Sequence, residues 1–326
     1  MAFNKLRSIR QLLAAAALSV SCLATVPAHA QVSGLEIVAP ASPGGGWDQH
    51  ARALQQALMA KNLATGVQVV NVPGAGGTIG LAQFVTAKKR NPTLLIGGQI
   101  MQGAILTNKS PVTLDQVTPL ARLTGEYTAL VVPTDSPIQS LQDLTGKFKA
   151  DPGSVSWGGG SAGGSDQILA GLIAKEVGVE PAKINYVATA GGGELMAQIL
   201  GGHITVAMGG YNEFAPQIKD GKLRAVALSA PERLPDVATP TLKEQGVNLE
   251  FINWRGVFAK PGLKAAEKKQ LEDMVQAVVA SDEWKETLRQ RGWLDLYQPA
   301  GEFDAYLKSE QVRVKQTLED IGLVKG

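Results

Sequence analysis

Four glycine clusters carry most of the chemistry this sequence offers: residues 44–46, 74–77, 158–164 and 191–193. Each follows an apolar, strand-like segment and precedes a helix-like one. The first turn of a helix has free backbone N–H groups and a partial positive charge, so it attracts anions. Glycine lets such a backbone approach a ligand closely. Two loops in each half of the chain therefore describe two N–H-rich surfaces facing one cleft, since ligands of open α/β sheets sit beyond the carboxyl ends of strands. Taken singly, each cluster more often marks an ordinary tight turn; the weight lies in four at the same structural position.

Side chains beside the glycines supply candidate specific contacts. From the first cluster these are Gly45, Gly46, Trp47 and Asp48; from the second, Ala75, Gly76, Gly77 and Thr78. Gln99 ends a third strand-like run, Ser161, Ala162 and Ser165 belong to the third cluster, Gly192 and Gly193 to the fourth, and Asn212 follows a later strand. Several have simpler roles open to them. Asp48 in a first helical turn complements the helix dipole, Ser165 reads equally as an N-cap, and Trp47 suits core packing better than a ligand platform.

Two enzyme motifs occur literally. Gly158-x-Gly160-x-x-Gly163 matches a dinucleotide fingerprint, with Glu180 at a tolerable distance for a ribose. A run this rich in glycine matches many patterns by chance, and that cofactor is scarce outside the cytoplasm. Gly159-Gly160-Ser161-Ala162-Gly163 matches a nucleophile elbow, which would make Ser161 the nucleophile of a secreted esterase. His203 is the single later histidine available as its base, and few acids lie between. His50 and His203 stand apart from any grouping with metal-ligand spacing. The expectation is a protein that binds without chemistry, with no cofactor and no metal.

The elements that position these loops alternate. Strand-like runs at 35–39 and 67–71 are each followed by a helix-like stretch, and a third at 93–96 ends at Gly97-Gly98-Gln99. Trp47, Ala51, Leu54 and Leu58 fall on one helical face. A change of section comes near Tyr127, and the same grammar restarts with strands at 155–157, 184–187, 204–208 and 223–228. The tail is helical, with Leu271, Met274, Val275 and Val278 as an amphipathic stripe. Alternation of this kind predicts an α/β fold with parallel sheets in two domains. The expected boundaries are 31–128 plus about 245–326 for the first domain and 129 to about 244 for the second. Hinges are expected near 127–131 and within 229–253, with the C-terminal helices returning to the first domain.

The N-terminus reads as a signal peptide. Lys5, Arg7 and Arg10 precede a short apolar run, and Ala28-His29-Ala30 places small residues for cleavage after Ala30. Lipid attachment at Cys22 is a second reading of the same segment. Removing these three basic residues takes the formal net charge from +2 to −1, which leaves no basic face for nucleic acid. Cys22 is the only cysteine, and a mature chain of this length builds its core without disulfides.

At this point a resemblance emerges. Ile37-Val38-Ala39-Pro40, Pro43 to Asp48, and Asn71 to Gly77 resemble the receptors of tripartite tricarboxylate transporters, also called Bug proteins. The likeness continues through Gly158 to Ser165, Tyr186 to Glu194, Gly221 to Ala225, Arg233-Leu234-Pro235 and Trp254 to Val257. It implies a type II-like periplasmic binding fold whose two α/β domains close on a small di- or tricarboxylate. It further implies a monomer that hands its ligand to a permease of one large and one small membrane subunit. Many members carry Ser or Thr where this chain has Trp47, and often Asp near Gly209-Gly210. The glycine loops with Trp47, Asp48 and Glu194 are closer to the citrate-type receptors. A periplasmic sensor that reports a carboxylate to a signalling partner is the alternative with the same site.

Overall fold

The structure, a computed structural model, describes residues 31–88 and 91–325. The basic and apolar leader, Cys22 and the cleavage point lie outside these residues. The described chain opens with β1 (Val32–Ser33), β2 (Glu36–Ala39), helix α1 (Gly46–Ala60), β3 (Ala64–Thr65) and β4 (Gln68–Asn71). Helix α2 (Thr78–Thr86), β5 (Thr93–Gly98) and α3 (Gln99–Thr107) complete a first set of strand–loop–helix units. A long strand follows, β6 (Thr118–Pro133), and then α4 (Leu141–Ala150) and β7 (Ser156–Gly159). The same order repeats in α5 (Ser165–Glu176), β8 (Asn185–Ala188), α6 (Gly192–Leu200), β9 (Val206–Gly210), α7 (Tyr211–Lys219) and β10 (Leu223–Leu228). The last stretch comprises β11 (Ile252–Ala259), α8 (Ala265–Val279), α9 (Asp282–Arg291), β12 (Leu294–Pro299) and α10 (Ala300–Asp320).

The main sheet runs β4-β2-β5-β11-β6-β9-β7-β8, with β10 and β12 also paired to β6. The strand–helix units are parallel, as alternation predicts: β2 with β4 and β5, and β7 with β8 and β9. The sheet as a whole is mixed, however. β6 is antiparallel to β9, β10, β11 and β12. An all-parallel expectation fails because two long strands carry the chain across the molecule in opposite directions. Residues 118–127 of β6 pair with β11, and residues 128–131 pair with β9. The strand is thus the spine shared by two half-sheets.

Ser229 fastens that crossing. Its hydroxyl accepts the Thr128 N–H (2.9 Å) and donates to the Phe251 carbonyl (2.6 Å). Its backbone N–H donates to Thr128 O, and the Phe251 N–H returns to Ser229 O. The side chain is fully buried. Three segments distant in sequence are therefore locked at one point, and each buried bond is costly to leave unmade.

One apolar cluster sits on the first half-sheet, where Ala51, Leu54 and Leu58 of α1 join Leu271, Met274 and Val278 of α8. Their spacing is what the amphipathic stripe predicts. The second half-sheet carries clusters on both faces, one built on Trp157, Phe148 and Ile173, the other on Leu195, Ile199 and Phe214. Helix α10 does not simply return to the first half. Phe303 and Leu307 enter the first cluster, whereas Val314, Leu318 and Ile321 beyond them close the Trp157 cluster. Among the described residues no helix is long and apolar enough to cross a membrane.

Candidate functional site

The glycine loops meet at one cavity of about 460 Å³, a size usual for small-ligand sites. Gly45, Gly46, Trp47, Ala75, Gly76 and Gly77 line it from the first half, and Ser161, Ser165 and Gly192 from the second. The N-terminal ends of α1, α5 and α6 and the loop that caps α2 therefore all border the same space. The 74–77 loop achieves this through an unusual backbone, with positive φ at four successive residues, including +48° at Ala75. A non-glycine residue in that region costs roughly 1–2 kcal/mol. The loop is held in place by Thr78 Oγ1 and Asn108 Nδ2, which both donate to Ala75 O at 2.9 Å.

Other expected contacts lie elsewhere. Thr78 is spent on that loop. Asp48 is buried behind the first loop, where it accepts from Gly44 N (2.8 Å), Arg52 Nε (3.0 Å) and Asn71 Nδ2 (2.9 Å). Burial alone would raise its pKa, but these donors together hold it below the usual value. Gln99 is fully buried off the cavity wall, with no partner for its amide among the described residues. Ala162 and Gly193 are exposed and off the wall. Asn212 donates instead to the Arg291 carbonyl at the end of α9 (2.8 Å).

The cavity also contains a charged group that reasoning from local motifs did not select: Glu126, Asp166, Glu213 and Arg255, with Asn253. Arg255 and Glu126 form a buried ion pair, and Asn253 Nδ2 donates to the same Glu126 oxygen (3.3 Å). The guanidinium lies directly under Gly46. A Cβ there would come within 2.6 Å of Arg255 Nη2, so this position accepts only glycine without rearrangement. Behind Arg255, His50 is sealed between Gly46 O (2.9 Å from Nδ1) and Thr124 Oγ1 (2.7 Å from Nε2) and stacks on Trp293. Burial, then the Arg255 charge, pushes its pKa well down, so the ring is neutral at physiological pH. Facing a carbonyl, Nδ1 carries the proton, and Nε2 accepts from the threonine.

Asp166 occupies the same place on α5 that Asp48 occupies on α1. Each lies in the first turn of a helix after a glycine loop, and each accepts one N–H of that loop, Gly160 N at 2.9 Å for Asp166. Asp48 has Arg52 and Asn71 in addition. Asp166 has only Ser165 Oγ at 3.4 Å, and burial raises its pKa to about 6. Glu213 opens to the cleft but is crowded by its walls and by Glu126, which shift it upward too. A clue to Asp166 exists in the sequence, because Gly-Gly-Ser-Asp repeats the Gly-Gly-Trp-Asp pattern of the first loop.

Ser161 lines the cavity, but among the described residues no histidine does; His50 lies behind Arg255, and His203 packs beside Gly201. Among the described residues no three His, Cys, Asp or Glu side chains are placed to hold a metal ion.

Known proteins resemble this chain in sequence and in fold. A Cupriavidus necator protein described as a UPF0065 protein in the gbd 5′ region is 27% identical over 327 residues, covering 96% of each chain. An R. palustris protein solved with adipate superimposes with a TM-score of 0.81 at 21% identity, over 89% of this chain and 97% of the other. MatC from Rhodopseudomonas palustris, solved with bound malate, gives 0.75 at 21% identity, over 88% and 99%. The periplasmic binding protein BugD superimposes with a TM-score of 0.79 at 22% identity, over 90% of this chain and 99% of the other, and the fold is that of the two-domain α/β periplasmic binding proteins. The family model for the tripartite tricarboxylate transporter family receptor matches residues 50–323, and the chain belongs to that family.

Proposed function

We propose that this chain is an extracytoplasmic receptor for a small organic acid of the di- or tricarboxylate class. Released from its leader after Ala30, it would act as a monomer and pass the ligand to an ion-coupled permease of a large and a small membrane subunit. The observation that carries the reading is the convergence of four helix N-termini on one cavity of about 460 Å³ in a chain of the receptor family. Each helix start presents roughly half a positive charge. On the first-half wall the backbone of Gly46, Trp47, Ala75 and Gly76 borders the cavity, the Gly45 and Gly77 N–H groups being donated to Ser42 O and Gly74 O, and Arg255, paired with Glu126, lies beneath Gly46. One carboxylate of the ligand belongs there. The ligands solved with the two structural neighbours, adipate and malate, are acids of this class.

Residues 31–128 with about 245–326, and 129 to about 244, would act as the two closing domains, bending where β6 passes Ser229 and Phe251. A ligand drives closure only through contacts it makes better in the closed form, and a ligand spanning both walls satisfies this. The test is a thermal-shift screen of organic acids, because a ligand that binds only the folded protein raises its melting temperature. Succinate, malate, adipate and citrate form the core panel. A rise with at least one small organic acid is expected. A flat response to every organic acid, with a rise for a nucleotide or a sugar, would remove the reading.

A further inference from the structure

Away from the ligand cavity, the two halves of the chain also meet at the C-terminal end of α9. This helix closes on Gly292 in the left-handed region (φ +59°). The Gly292 N–H donates to Arg289 O (3.3 Å) and the Trp293 N–H to Leu288 O (3.0 Å). A cap of this kind serves carbonyls of the last turn but leaves the final one open. That carbonyl, Arg291 O, accepts from Asn212 Nδ2 (2.8 Å) in the first turn of α7. A Cβ at position 292 would lie 1.9 Å from the same Asn212 Nδ2. Glycine there admits the inserted side chain as well as the turn.

The same cap holds the first glycine loop from behind. Arg291 Nη1 donates to Gln49 Oε1 (2.9 Å), and Gln49 Nε2 donates to Gly44 O (2.9 Å). The Arg291 guanidinium lies 5.1 Å from the centre of the Trp293 ring, which stacks on His50 at 3.4 Å. His50 Nδ1 in turn bonds Gly46 O (2.9 Å). Both arms end on carbonyls of the 44–46 loop, whose Gly46 borders the cavity. From the second half, Gly210 and Glu213 on either side of Asn212 border it too. Gln49, Asn212, Arg291 and Trp293 do not line it themselves.

We infer that the 291–293 cap is a latch for the cleft, which makes contact with α7 and order in the first glycine loop parts of one cooperative unit. Gln49, Arg291 and Asn212 are positioning residues. They act on a ligand only through the loop and the approach of the two halves. The Asn212 bond lies at the surface, where its exchange for water costs little, as a contact that opens and closes repeatedly requires. The effect on ligand release rests on the receptor reading, whereas the coupling itself belongs to the ligand-free chain.

Hydrogen exchange followed by mass spectrometry compares the ligand-free wild type with Asn212→Ala, Asn212→Asp and Gln49→Ala. The segment read is 44–50, where the Gly45 and Gln49 N–H groups are bonded to Ser42 O and Gly45 O. Its exchange is expected to quicken threefold or more in all three variants. Aspartate matches asparagine in size but offers oxygen to a carbonyl that needs a donor, so it should not restore the wild-type rate. Asn212→Ala with Gln49→Ala should quicken the segment by less than the product of the single effects, since both break one path. Faster exchange confined to 210–214 and 288–293, full multiplication of the two effects, or a wild-type rate in Asn212→Asp overturns the inference. Of succinate, malate, adipate and citrate, the acid that raises the melting temperature most should leave Asn212→Ala threefold or more faster, with association changed less than twofold. Unchanged release overturns the latch as well. If none of these acids binds, the receptor reading falls, and hydrogen exchange still decides the latch.

Discussion

Asp166→Asn tests the electrostatics of the second wall without any ligand. In the folded protein burial raises the Asp166 pKa from 3.8 to about 6. Glu126 adds to the rise, whereas the Gly160 N–H, Ser165 and Arg255 oppose it. The folded state thus binds this proton more tightly than the unfolded chain. Stability from this group is fully present below about pH 4 and is lost as the pH climbs to about 6. About two pKa units at 1.36 kcal/mol each make the penalty about 3 kcal/mol at neutral pH. Asparagine keeps an oxygen to accept from Gly160 and does not ionise. The variant should therefore match the wild type near pH 4 and exceed it at pH 7. For a chain of this size the gain in melting temperature is on the order of 5 °C. Thermal unfolding of both proteins across pH 4–8 measures the difference, and titrations that Asp166 does not touch cancel. Glu126, Glu213, Arg255 and Tyr186 face Asp166 in both proteins, and because the Asp166 charge raises Glu213 and Tyr186, its removal eases both downward as well. A gap that is the same at pH 4 and pH 7, or a wild type that wins at pH 7, would refute the reasoning.

Glycine substitutions separate site from scaffold. Gly192→Ala meets only Glu213 Oε2, at 3.1 Å, so it should fold normally and weaken binding measured by calorimetry several-fold. Gly76→Ala places a methyl 2.4 Å from Ala104 Cβ at φ +60°, so its main effect should be lost stability in urea titration, about 2 kcal/mol or more. Asp48→Ala removes the acceptor shared by Gly44, Arg52 and Asn71 and should cost about 2–3 kcal/mol in the same assay. Asn212→Ala breaks the contact with Arg291 O and should change melting temperature by less than about 2 °C while speeding ligand release in stopped-flow.

The features legible in the sequence are those written locally. Each glycine loop sits between its own strand and helix, so Gly45, Gly76, Ser161 and Gly192 reach one cavity by repetition of a short-range unit. The charged group has no such signature. Glu126 and Arg255 lie 129 residues apart and meet because β6 and β11 run antiparallel through the centre of the sheet. That crossing is itself hard to read, since β6 contains Pro119 and Gly125 and changes partners midway. Asp166 was readable by analogy with Asp48, and so was its lack of a basic partner, since Ala170 stands four residues on, where the first helix has Arg52. Asn212 illustrates the reverse, a residue next to a cavity strand whose side chain turns outward to α9.

Helix α10 has a consequence for how the chain reaches its folded state. Its last turns supply Val314, Leu318 and Ile321 to a core whose strands come from the middle of the sequence. Ile321 covers Gly171 so closely that a Cβ there would lie 2.7 Å from it. A chain emerging from its N-terminus can assemble every strand of the second half and still lack the cover of that core. Completion waits on residues 314–321, and their loss should destabilise a half of the molecule from which they are far removed in sequence.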